Sequence, residues 1–545
     1  MSQSSSSIGR IIGVAGQRLT ARMLSKEEGY QAYLQLGLEE VATGQLGTHL
    51  LVKSKGFAVL TQVLETWEEY VDGRLERHMH LLPLGDVTSD GRFVRGVSQY
   101  PPLDAEIYLV STAQLETMFD SFRRDGLHLG RHSQRQALKV YFDPGRLFSR
   151  HFAILGQSGS GKSWTVASIL QRTVKTMPNA HVVLLDLHGE YGWRDKQGRM
   201  HSAFDNKIVR HVDARSLEIP YWLLTYAELI DLLIDRNDPN ASVQMSFMRE
   251  VLYNLRRKAN REMGIDRLSV DSPVFFSIKE MYLQFKKANE LKLDFGKTQG
   301  PLFGAFDEFL VRFQGLFNDS RYDFLFKPKK RTESAHLEGL LRDFIGLGQE
   351  KAQITVIDLS GIPHDVRPVI SAQIGRLAFE FNYWNPRRQE FPILLVCEEA
   401  HQYIPRNADT KHEATRREIE RIAKEGRKYG VGLCVVSQRP LELSETVLSQ
   451  CASFICLRIS NPDDQAYVRQ LMPDGERDLA SILASLRRGE ALAVGEAVPL
   501  PTRFQVYKPD PIPSSNDVDV AQAWREGPSD LDVSQIVQHW WRQIR

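Results

Sequence analysis

The chain has few cysteines, no excess of charge of either sign and no long apolar run. Each of these absences excludes a class of protein. Four cysteines in 545 residues build no disulfide framework, and none has zinc-ligand spacing. The 69 basic and 68 acidic residues create no global field for nucleic acid. Apolar runs have strand length, short of the roughly 20 residues of a membrane span, and the start, MSQSSSSIGR, lacks a signal peptide's apolar region. We therefore expect a cytoplasmic protein with reduced thiols and no membrane partner.

Several domains are expected, because 545 residues exceed what one hydrophobic core organises. Short β-rich pieces between Gly, Pro and Asp turns open the chain and predict a small barrel or sandwich. Alternating strand and helix patterns follow, interrupted by a long helical stretch. The predicted segments are a β domain (1–110), a polar connection (111–147), an α/β core (148–215 and 350–508), a mostly helical insertion (216–349), and a Pro-rich linker with a C-terminal amphipathic helix (509–545).

Near-continuous apolar runs predict the strands of the core, and such runs fit a parallel sheet that is covered on both faces. The predicted core strands are HFAIL (151–155), HVVLLDL (181–187), QITVIDL (353–359), PILLVCE (392–398), GLCVVSQ (432–438) and SFICLRI (453–459).

A phosphate-binding loop joins the first of these strands to a helical pattern. The pattern GxxxxGK[ST] is filled by Gly156, Gln157, Ser158, Gly159, Ser160, Gly161, Lys162 and Ser163. The glycines let backbone N–H groups point at phosphate oxygens. Lys162 would reach the β- and γ-phosphates, and the Ser163 hydroxyl would bind Mg²⁺. We therefore predict an ATP and Mg²⁺ site, and we include the next residue, Trp164, in it.

Two adjacent acids end the strand PILLVCE. Glu398 occupies the place where P-loop ATPases hold Mg²⁺, and Glu399 would polarise the attacking water. Burying two carboxylates costs desolvation energy, which favours a catalytic role. Gln438, at the end of GLCVVSQ, would hydrogen-bond the γ-phosphate or the water. Asp186 and Glu190, in LLDLHGEYG, would lie at the same carboxyl edge of the sheet; whether they contact metal, water or backbone stays open.

An arginine just before the strand GLCVVSQ is a candidate to act between subunits. The Arg427 guanidinium would reach a neighbouring subunit's nucleotide and stabilise the charge of the transition state. The alternative is a local ion pair of Arg427 with Glu420 or Glu425. Arg421 and Arg439 are rival candidates that the sequence does not rank.

Two further segments carry charge or apolar residues in a helical pattern. The run Arg256-Arg257-Lys258 in the insertion is interpreted as a solvated helix face, with nucleic-acid contact as the alternative. The C-terminal segment has helical apolar spacing, and it would dock either on its own core or on a partner. Its apolar positions are Val533, Ile536, Val537, Trp540, Trp541 and Ile544.

Taken in order, the motifs resemble the HerA family, within the FtsK–HerA group of hexameric P-loop DNA translocase ATPases. The core motifs that carry the resemblance are GQSGSGKS, LLDLHGEY, LLVCEEAH, EGRKYGVGLCVVSQRP and GEALAVGEAVPLP. The segment IGRIIGV…GQLGTHLLV is similar to that family's HAS-barrel domain, and NDSRYDFLF (318–326) also has HerA-type character. One departure is Glu398, where the family more often has Asp.

The resemblance implies an α/β protein. It would have a RecA-like P-loop NTPase core with a parallel sheet, a small N-terminal HAS-barrel-like domain and a helical insertion. It further implies a homo-hexamer with double-stranded DNA in its central channel. The catalytic acid would be Glu399, the sensor Gln438 and the trans-acting finger Arg427. A separate NurA-like nuclease or a NADase defence effector would be its partner, in DNA end processing or anti-phage defence.

The loop after the acids is the predicted DNA contact. Arg406, Lys411, Arg416 and Arg417 would face the channel, where six copies concentrate positive charge; the alternative is an ordinary surface loop. Two other functions stay open. One is a ring-shaped regulatory scaffold that assembles and activates an effector, and the weaker one is a conjugation or secretion motor.

Overall fold

The computed structural model describes residues 7–16, 18–36, 39–195, 197–261, 263–293, 297–348, 350–407, 413–515, 519–527 and 532–542. The chain divides into two compact units. The first unit comprises Met1–Thr176, Gln438–Leu441 and Cys451–Lys508, and the second comprises Met177–Ser437, Glu442–Gln450 and Pro509–Arg545. Among the described residues, no helix combines the length and apolar character needed to cross a membrane.

A closed barrel of six strands begins the first unit, as predicted. The strands of this region are β1 (Gly9–Ala15), β2 (Arg18–Met23), β3 (Tyr33–Leu36), β4 (Glu39–Ala42), β5 (His49–Ser54), β6 (Phe57–Val71), β7 (Arg74–Val87), β8 (Phe93–Arg95) and β9 (Glu106–Leu109). The pairing runs β2-β1-β9-β5-β6-β7, and β7 pairs back onto β2. Inward residues such as Leu19, Leu50 and Ile107 are fully buried, so the alternating pattern forms one apolar core.

The chain then builds the elements that lead to the P-loop. These are α1 (Thr112–Met118), α2 (Asp120–Arg123), β10 (Leu127–His132), β11 (Lys139–Phe142), α3 (Pro144–Ser149), β12 (Phe152–Leu155) and α4 (Lys162–Thr176). β10 and β11 lie in the segment that was predicted as a polar connection. They are short and partly exposed, so their apolar pattern is weak.

The second unit contains most of the predicted core strands and the insertion. Its elements are β13 (Val182–Asp186), β14 (Gly192–Arg194), β15 (Met200–Ser202), β16 (Val209–Asp213), α5 (Ala214–Leu217), α6 (Tyr226–Leu233), α7 (Ala241–Ala259), α8 (Ile278–Asn289), β17 (Lys292–Leu293), β18 (Thr298–Gln299), α9 (Asp307–Asn318), α10 (Asp323–Phe326), α11 (His336–Phe344), β19 (Ile354–Asp358), α12 (Arg367–Trp384), β20 (Ile393–Cys397), α13 (Glu413–Glu425), β21 (Val431–Ser437) and α14 (Glu445–Ser449). The strands β21-β20-β13-β19-β16 pair in this order, all parallel. The parallel core was predicted; its edge strand β16 was not.

The chain returns to the first unit for its last strands. These elements are β22 (Ser453–Cys456), α15 (Pro462–Leu471), β23 (Glu490–Gly495) and β24 (Thr502–Val506). Here β22 pairs with β12 in parallel, and β22-β23-β24-β10-β11 continue antiparallel. The sheet of the first unit is therefore mixed, because antiparallel strands continue from the parallel pair of β12 and β22.

The insertion is mostly helical, and it corrects the interpretation of its basic run. Arg256 is buried, and its Nη2 donates to the carbonyl oxygens of Trp222 at 3.1 Å and Leu224 at 3.0 Å. Its guanidinium also lies 5.3 Å from the Phe276 ring centroid. Burial lowers the pKa of Arg256 to about 10. The run is therefore a solvated face only in part: Arg257 and Lys258 are exposed, whereas Arg256 satisfies carbonyls in the core of the insertion.

The C-terminal segment forms two short helices, α16 (Val520–Glu526) and α17 (Val533–Arg542). The predicted helix corresponds to α17; its last predicted apolar position, Ile544, lies outside the described residues. Val533, Ile536, Trp540 and Trp541 are exposed. Most of this face is exposed in the part of the helix that the structure describes, so docking on the chain's own core, one of the two alternatives, gains no support there.

Candidate functional site

The backbone of the P-loop needs glycine at three places. Gly159 and Gly161 have φ of 72° and 107°, which a residue with a side chain rarely adopts. A Cβ on Gly156 would lie 2.7 Å from Ser160 Oγ and 2.9 Å from Leu457 Cβ. The loop is therefore tightly curled between β12 and α4, as a phosphate cradle requires.

Neighbouring strands of the first unit hold the loop in place. The Gln157 amide donates to the Arg458 carbonyl at 2.9 Å, and Gln157 Oε1 accepts from the Ser460 amide at 2.9 Å. The Gly489 amide donates to the Ser160 carbonyl at 2.9 Å. These bonds tie the loop to the end of β22 and the approach to β23.

The side chains after the glycines lie at the start of α4. Lys162 is buried, and its Nζ donates to the Gln157 carbonyl at 3.3 Å. Ser163 follows in the first turn of the helix. The Trp164 ring lies near two cations, with its centroid 5.4 Å from the Arg488 guanidinium and 5.6 Å from Lys508 Nζ. Trp164 is thus packed by residues of the first unit.

The predicted acids of the second unit lie at the carboxyl ends of adjacent parallel strands. Leu185 of β13 is paired with Cys397 of β20, which places the following residues, Asp186 and Glu398, side by side at this edge. Asp186 is also paired with Asp358 at the end of β19. Parallel strands that share a register bring their terminal acids together, as the sequence pattern predicted.

Asp186 organises the turn that follows its strand. Its Oδ1 accepts from the amides of Gly189 at 2.8 Å and Glu190 at 3.1 Å, and its Oδ2 accepts from that of Tyr191 at 2.9 Å. Burial raises the pKa of Asp186 to about 7, while these amides oppose the rise. Of the three alternatives left open for Asp186, the structure supports backbone contact. The carboxylate shapes the turn that carries Glu190.

Glu398 is buried with one carboxylate oxygen bonded and the other not. The Tyr191 hydroxyl donates to Glu398 Oε1 at 2.8 Å. Among the described residues, Glu398 Oε2 has no hydrogen-bond partner. Burial, and after it the charges of Asp186 and Glu190, raise the pKa of Glu398 well above its usual value. A buried, uncompensated carboxylate oxygen is costly unless a cation or water satisfies it.

Glu399 has a backbone conformation that few residues with side chains adopt. Its φ and ψ are both 44°, in the left-handed region. This conformation turns the chain sharply after β20. Glu399 Oε2 lies 3.3 Å from His401 Nδ1, which is itself 3.2 Å from the Ser437 hydroxyl at the end of β21. Gln438 is the next residue along the chain.

Comparison with known proteins shows a consistent similarity to HerA helicases. Residues 127–378 match the family model of the Helicase HerA central domain. The DNA double-strand break repair helicase HerA of Sulfolobus acidocaldarius is 29% identical over 459 residues, 83% of this chain and 82% of the relative. The chain is therefore similar to HerA helicases over most of its length. The probable DNA double-strand break repair helicase HerA of Methanocaldococcus jannaschii is 28% identical over 440 residues, 73% of this chain and 80% of the relative.

Among solved structures, VirB4 of Thermoanaerobacter pseudethanolicus aligns with 17% identity and a TM-score of 0.45, covering 70% of this chain and 96% of that one. A likeness at this level has no bearing on function.

The match to the HerA family model and the complete P-loop make this chain an ATPase.

The three candidate arginines of this ATPase differ in their surroundings. Arg421 Nη1 lies 3.1 Å from Glu380 Oε1, and its guanidinium lies 4.4 Å from the Phe379 ring centroid. Arg427 is exposed, and among the described residues it forms no ion pair, with Glu420 or any other acid. Arg439 is exposed at the start of a loop. Arg421 therefore joins α13 to α12 through these contacts, whereas the Arg427 side chain is exposed to solvent.

The predicted DNA residues that the structure describes form ion pairs on the surface of the second unit. Arg406 Nη2 lies 3.5 Å from Glu445, Arg416 Nε lies 3.4 Å from Glu420, and Arg417 pairs with Glu413. Lys411 lies outside the described residues. Each described arginine is near an acid, which partly offsets the positive charge predicted for this surface.

Three residues of this site were not predicted from the sequence. Tyr191, His401 and Ser437 contact the acids or each other, although each lies within two residues of a predicted site residue. Closeness in sequence to a predicted site residue was therefore a signal, but it does not show which side chains contact the acids. For Tyr191 and Glu398 the pairing of β13 with β20 shows this, because it brings the turns that follow the two strands together.

Proposed function

We propose that this ATPase is a HerA-family motor that moves double-stranded DNA through a ring of six identical copies. Relatives named as DNA double-strand break repair helicases support the DNA substrate. The observation that carries the proposal is the pair of buried acids that ends β20. Desolvating both would be hard to explain if they did not act on a bound, charged substrate.

In this proposal the P-loop binds the triphosphate of ATP. Its amides and Lys162 hold the phosphates, and the bonds to Arg458, Ser460 and Gly489 keep the cradle formed between cycles. Because the cradle is formed in advance, little ordering would accompany nucleotide binding.

Mg²⁺ is the companion ion in this proposal, because each candidate ligand is an oxygen donor. Ser163 offers a hydroxyl, and Glu398 offers a buried oxygen that has no partner among the described residues. Hard cations prefer such oxygen ligands. Bound Mg²⁺ would neutralise charge on the β- and γ-phosphates.

The proposed catalytic step uses residues of two copies. The Glu399 carboxylate accepts a proton from the attacking water, and His401 and Ser437 restrain this side chain. Gln438 hydrogen-bonds the γ-phosphate or the water. Arg427 from a neighbouring copy stabilises the charge that develops on the γ-phosphoryl group. Its exposure and lack of an ion pair among the described residues suit that role.

Movement on duplex DNA is tested by displacement of a third strand from a triplex, since displacement requires no strand separation. We expect ATP-dependent displacement by the wild-type chain and none by Glu399→Gln. ATP turnover that DNA does not stimulate, together with no displacement, would contradict the motor.

A second function is a regulatory ring that assembles and activates an effector, such as a NurA-like nuclease or a NADase. The exposed apolar face of α17 favours it, because exposed tryptophans typically mark a protein interaction surface.

Deleting residues 515–545 separates the two functions. The deletion leaves intact the bond from the Ser514 amide to the Glu190 carbonyl, at 2.7 Å. A partner-docking tail predicts unchanged DNA-stimulated ATPase activity and no co-purification of the effector. Retained co-purification would remove the tail from this proposal.

A further inference from the structure

A single hydroxyl bridges two parts of the second unit that are far apart in sequence. Tyr191 lies in the turn after β13, Glu398 lies at the end of β20, and their 2.8 Å bond joins residues 207 positions apart. Both side chains are buried. A phenol donates only one proton, so this bond engages one carboxylate oxygen, and the other has no partner in the described part of the chain.

The tyrosine is held rigidly before it meets the carboxylate. Asp186 Oδ2 accepts from the Tyr191 amide at 2.9 Å. The Tyr191 ring stacks on Phe204, with an interplanar angle of 7° and centroids 6.0 Å apart. On the preceding residue, the Glu190 carbonyl accepts from the Ser514 amide at 2.7 Å. Backbone, ring and turn are therefore all fixed, so the hydroxyl has a defined position.

We infer that Tyr191 is a positioning residue, whose hydroxyl orients Glu398 so that Oε2 faces the ion that accompanies the nucleotide. The inference rests on the proposed function, in which Glu398 helps to hold Mg²⁺. A glutamate side chain has several rotatable bonds, so its carboxylate needs a restraint to keep one direction. Partners of this kind set ligand orientation at metal sites.

The test is the gain in nucleotide affinity that Mg²⁺ confers, measured with a fluorescent ATP analogue in EDTA and in Mg²⁺. Tyr191→Phe keeps the ring and removes the hydroxyl. We expect affinity in EDTA to stay at the wild-type value and the Mg²⁺ gain to fall about tenfold. A merely structural role would lower both affinities together.

Tyr403→Phe is the matched control. Tyr403 is also fully buried, but its hydroxyl donates to the main-chain carbonyl of Glu398 at 3.1 Å. We expect this variant to retain the full Mg²⁺ gain. An equal loss in both variants would overturn the inference, because it would show a general effect of phenol removal.

Glu398→Asp tests the same contact from the other side, and it decides the matter if Tyr191→Phe does not fold. The shorter side chain draws the carboxylate back from the Tyr191 hydroxyl, so the Mg²⁺ gain should fall comparably. The double variant should lose no more than Glu398→Asp alone.

Two outcomes would contradict the inference, and they can be told apart. A full Mg²⁺ gain in folded Tyr191→Phe, or in Glu398→Asp, overturns the role of Tyr191 alone. If Mg²⁺ does not change the nucleotide affinity of the wild-type chain, the metal assignment of the proposed function is wrong, and this inference fails with it.

Discussion

Glu399 keeps a backbone conformation that costs about 1 kcal/mol for a residue with a Cβ. Such a conformation persists where the surroundings impose it, and it is concentrated at functional sites. Here it directs the carboxylate toward His401 rather than along the strand. The strain is consistent with a side chain whose direction matters more than its contribution to stability.

At the residue scale, Lys162 and Glu399 should separate binding from turnover. Lys162→Ala should lose ATP binding, because it removes the cation that contacts the phosphates. Glu399→Gln should bind ATP normally and hydrolyse it about 100-fold more slowly or worse, because an amide is a poor base. Equilibrium binding and steady-state ATPase assays check this. Normal hydrolysis by Glu399→Gln would show that another group activates the water.

The candidate arginines make a second residue-scale prediction. Arg427→Ala should leave nucleotide binding and the melting temperature unchanged, because its side chain is exposed and has no ion pair among the described residues. Its ATPase rate in the assembled ring should fall about 1000-fold. Lys428→Ala, also exposed, is the control. Arg421→Ala should instead lower the melting temperature, since it removes the interactions with Glu380 and Phe379. A full rate for Arg427→Ala would rule out its role in trans.

Individual residues also show what a sequence does and does not predict. Adjacent acids after an apolar run indicated buried carboxylates, and Glu398 and Glu399 are buried. The partner of Glu398 lies 207 positions away, a separation that no local pattern reports. Arg256 has the spacing of a surface charge, yet it bonds carbonyls 32 and 34 positions away. Such bonds depend on how elements pack, not on local composition.

At the scale of elements, the loop between β20 and α13 is the proposed DNA-binding segment. Reversing the charges of Arg406 and Lys411 should weaken the dependence of DNA affinity on salt concentration. The slope of log affinity against log salt concentration should become less steep by about one unit for each phosphate that the loop no longer neutralises. Filter binding or fluorescence anisotropy over a salt series measures this slope. Arg342→Glu in α11, which breaks an exposed pair with Glu338, is the control. An unchanged slope would remove this loop from the DNA path.

Two buried histidines, His49 in β5 and His132 in β10, make the free energy of unfolding depend on pH. Burial lowers the pKa of His49 to about 3 and that of His132 to about 4. Their rings lie 6.0 Å apart. Unfolded histidine titrates near pH 6.5, so below that pH the unfolded state gains protons that the folded state does not. Stability should therefore fall as pH drops from about 6.5 to 4, by about 1.4 kcal/mol per pH unit for each histidine.

Thermal melts of His49→Gln from pH 7 to pH 5 check this dependence. The variant should lose less stability than the wild type over this range, because one proton-linked group is gone. His364→Gln, at an exposed position, should keep the wild-type dependence. Equal slopes for His49→Gln and the wild type would contradict the assignment.

The elements that the sequence predicted best are those with strong local patterns. The strands β13, β19, β20 and β21 each fall within about one residue of the predicted runs, because buried parallel strands are apolar throughout. β10 and β11 were missed because their alternation is short and interrupted by charge. The antiparallel part of the sheet depends on pairing between distant segments, which apolar patterns do not encode.

At the scale of the whole molecule, the proposed ring makes activity depend on assembly. If Arg427 acts on the nucleotide of a neighbour, ATPase activity per chain should rise with protein concentration until rings form. Mass photometry with and without ATP follows assembly, and steady-state kinetics follows activity in the same samples. Full activity from a strictly monomeric chain at high concentration would exclude catalysis between copies.

The C-terminal helices give the chain an optical reporter. Of its eight tryptophans, Trp524, Trp540 and Trp541 are 87%, 74% and 80% exposed, so iodide would quench their emission readily. A protein that covers α17 would shield two of these indoles and shift their fluorescence to the blue. Binding could therefore be followed without a label, and the chain could be used to identify its own effector by titration.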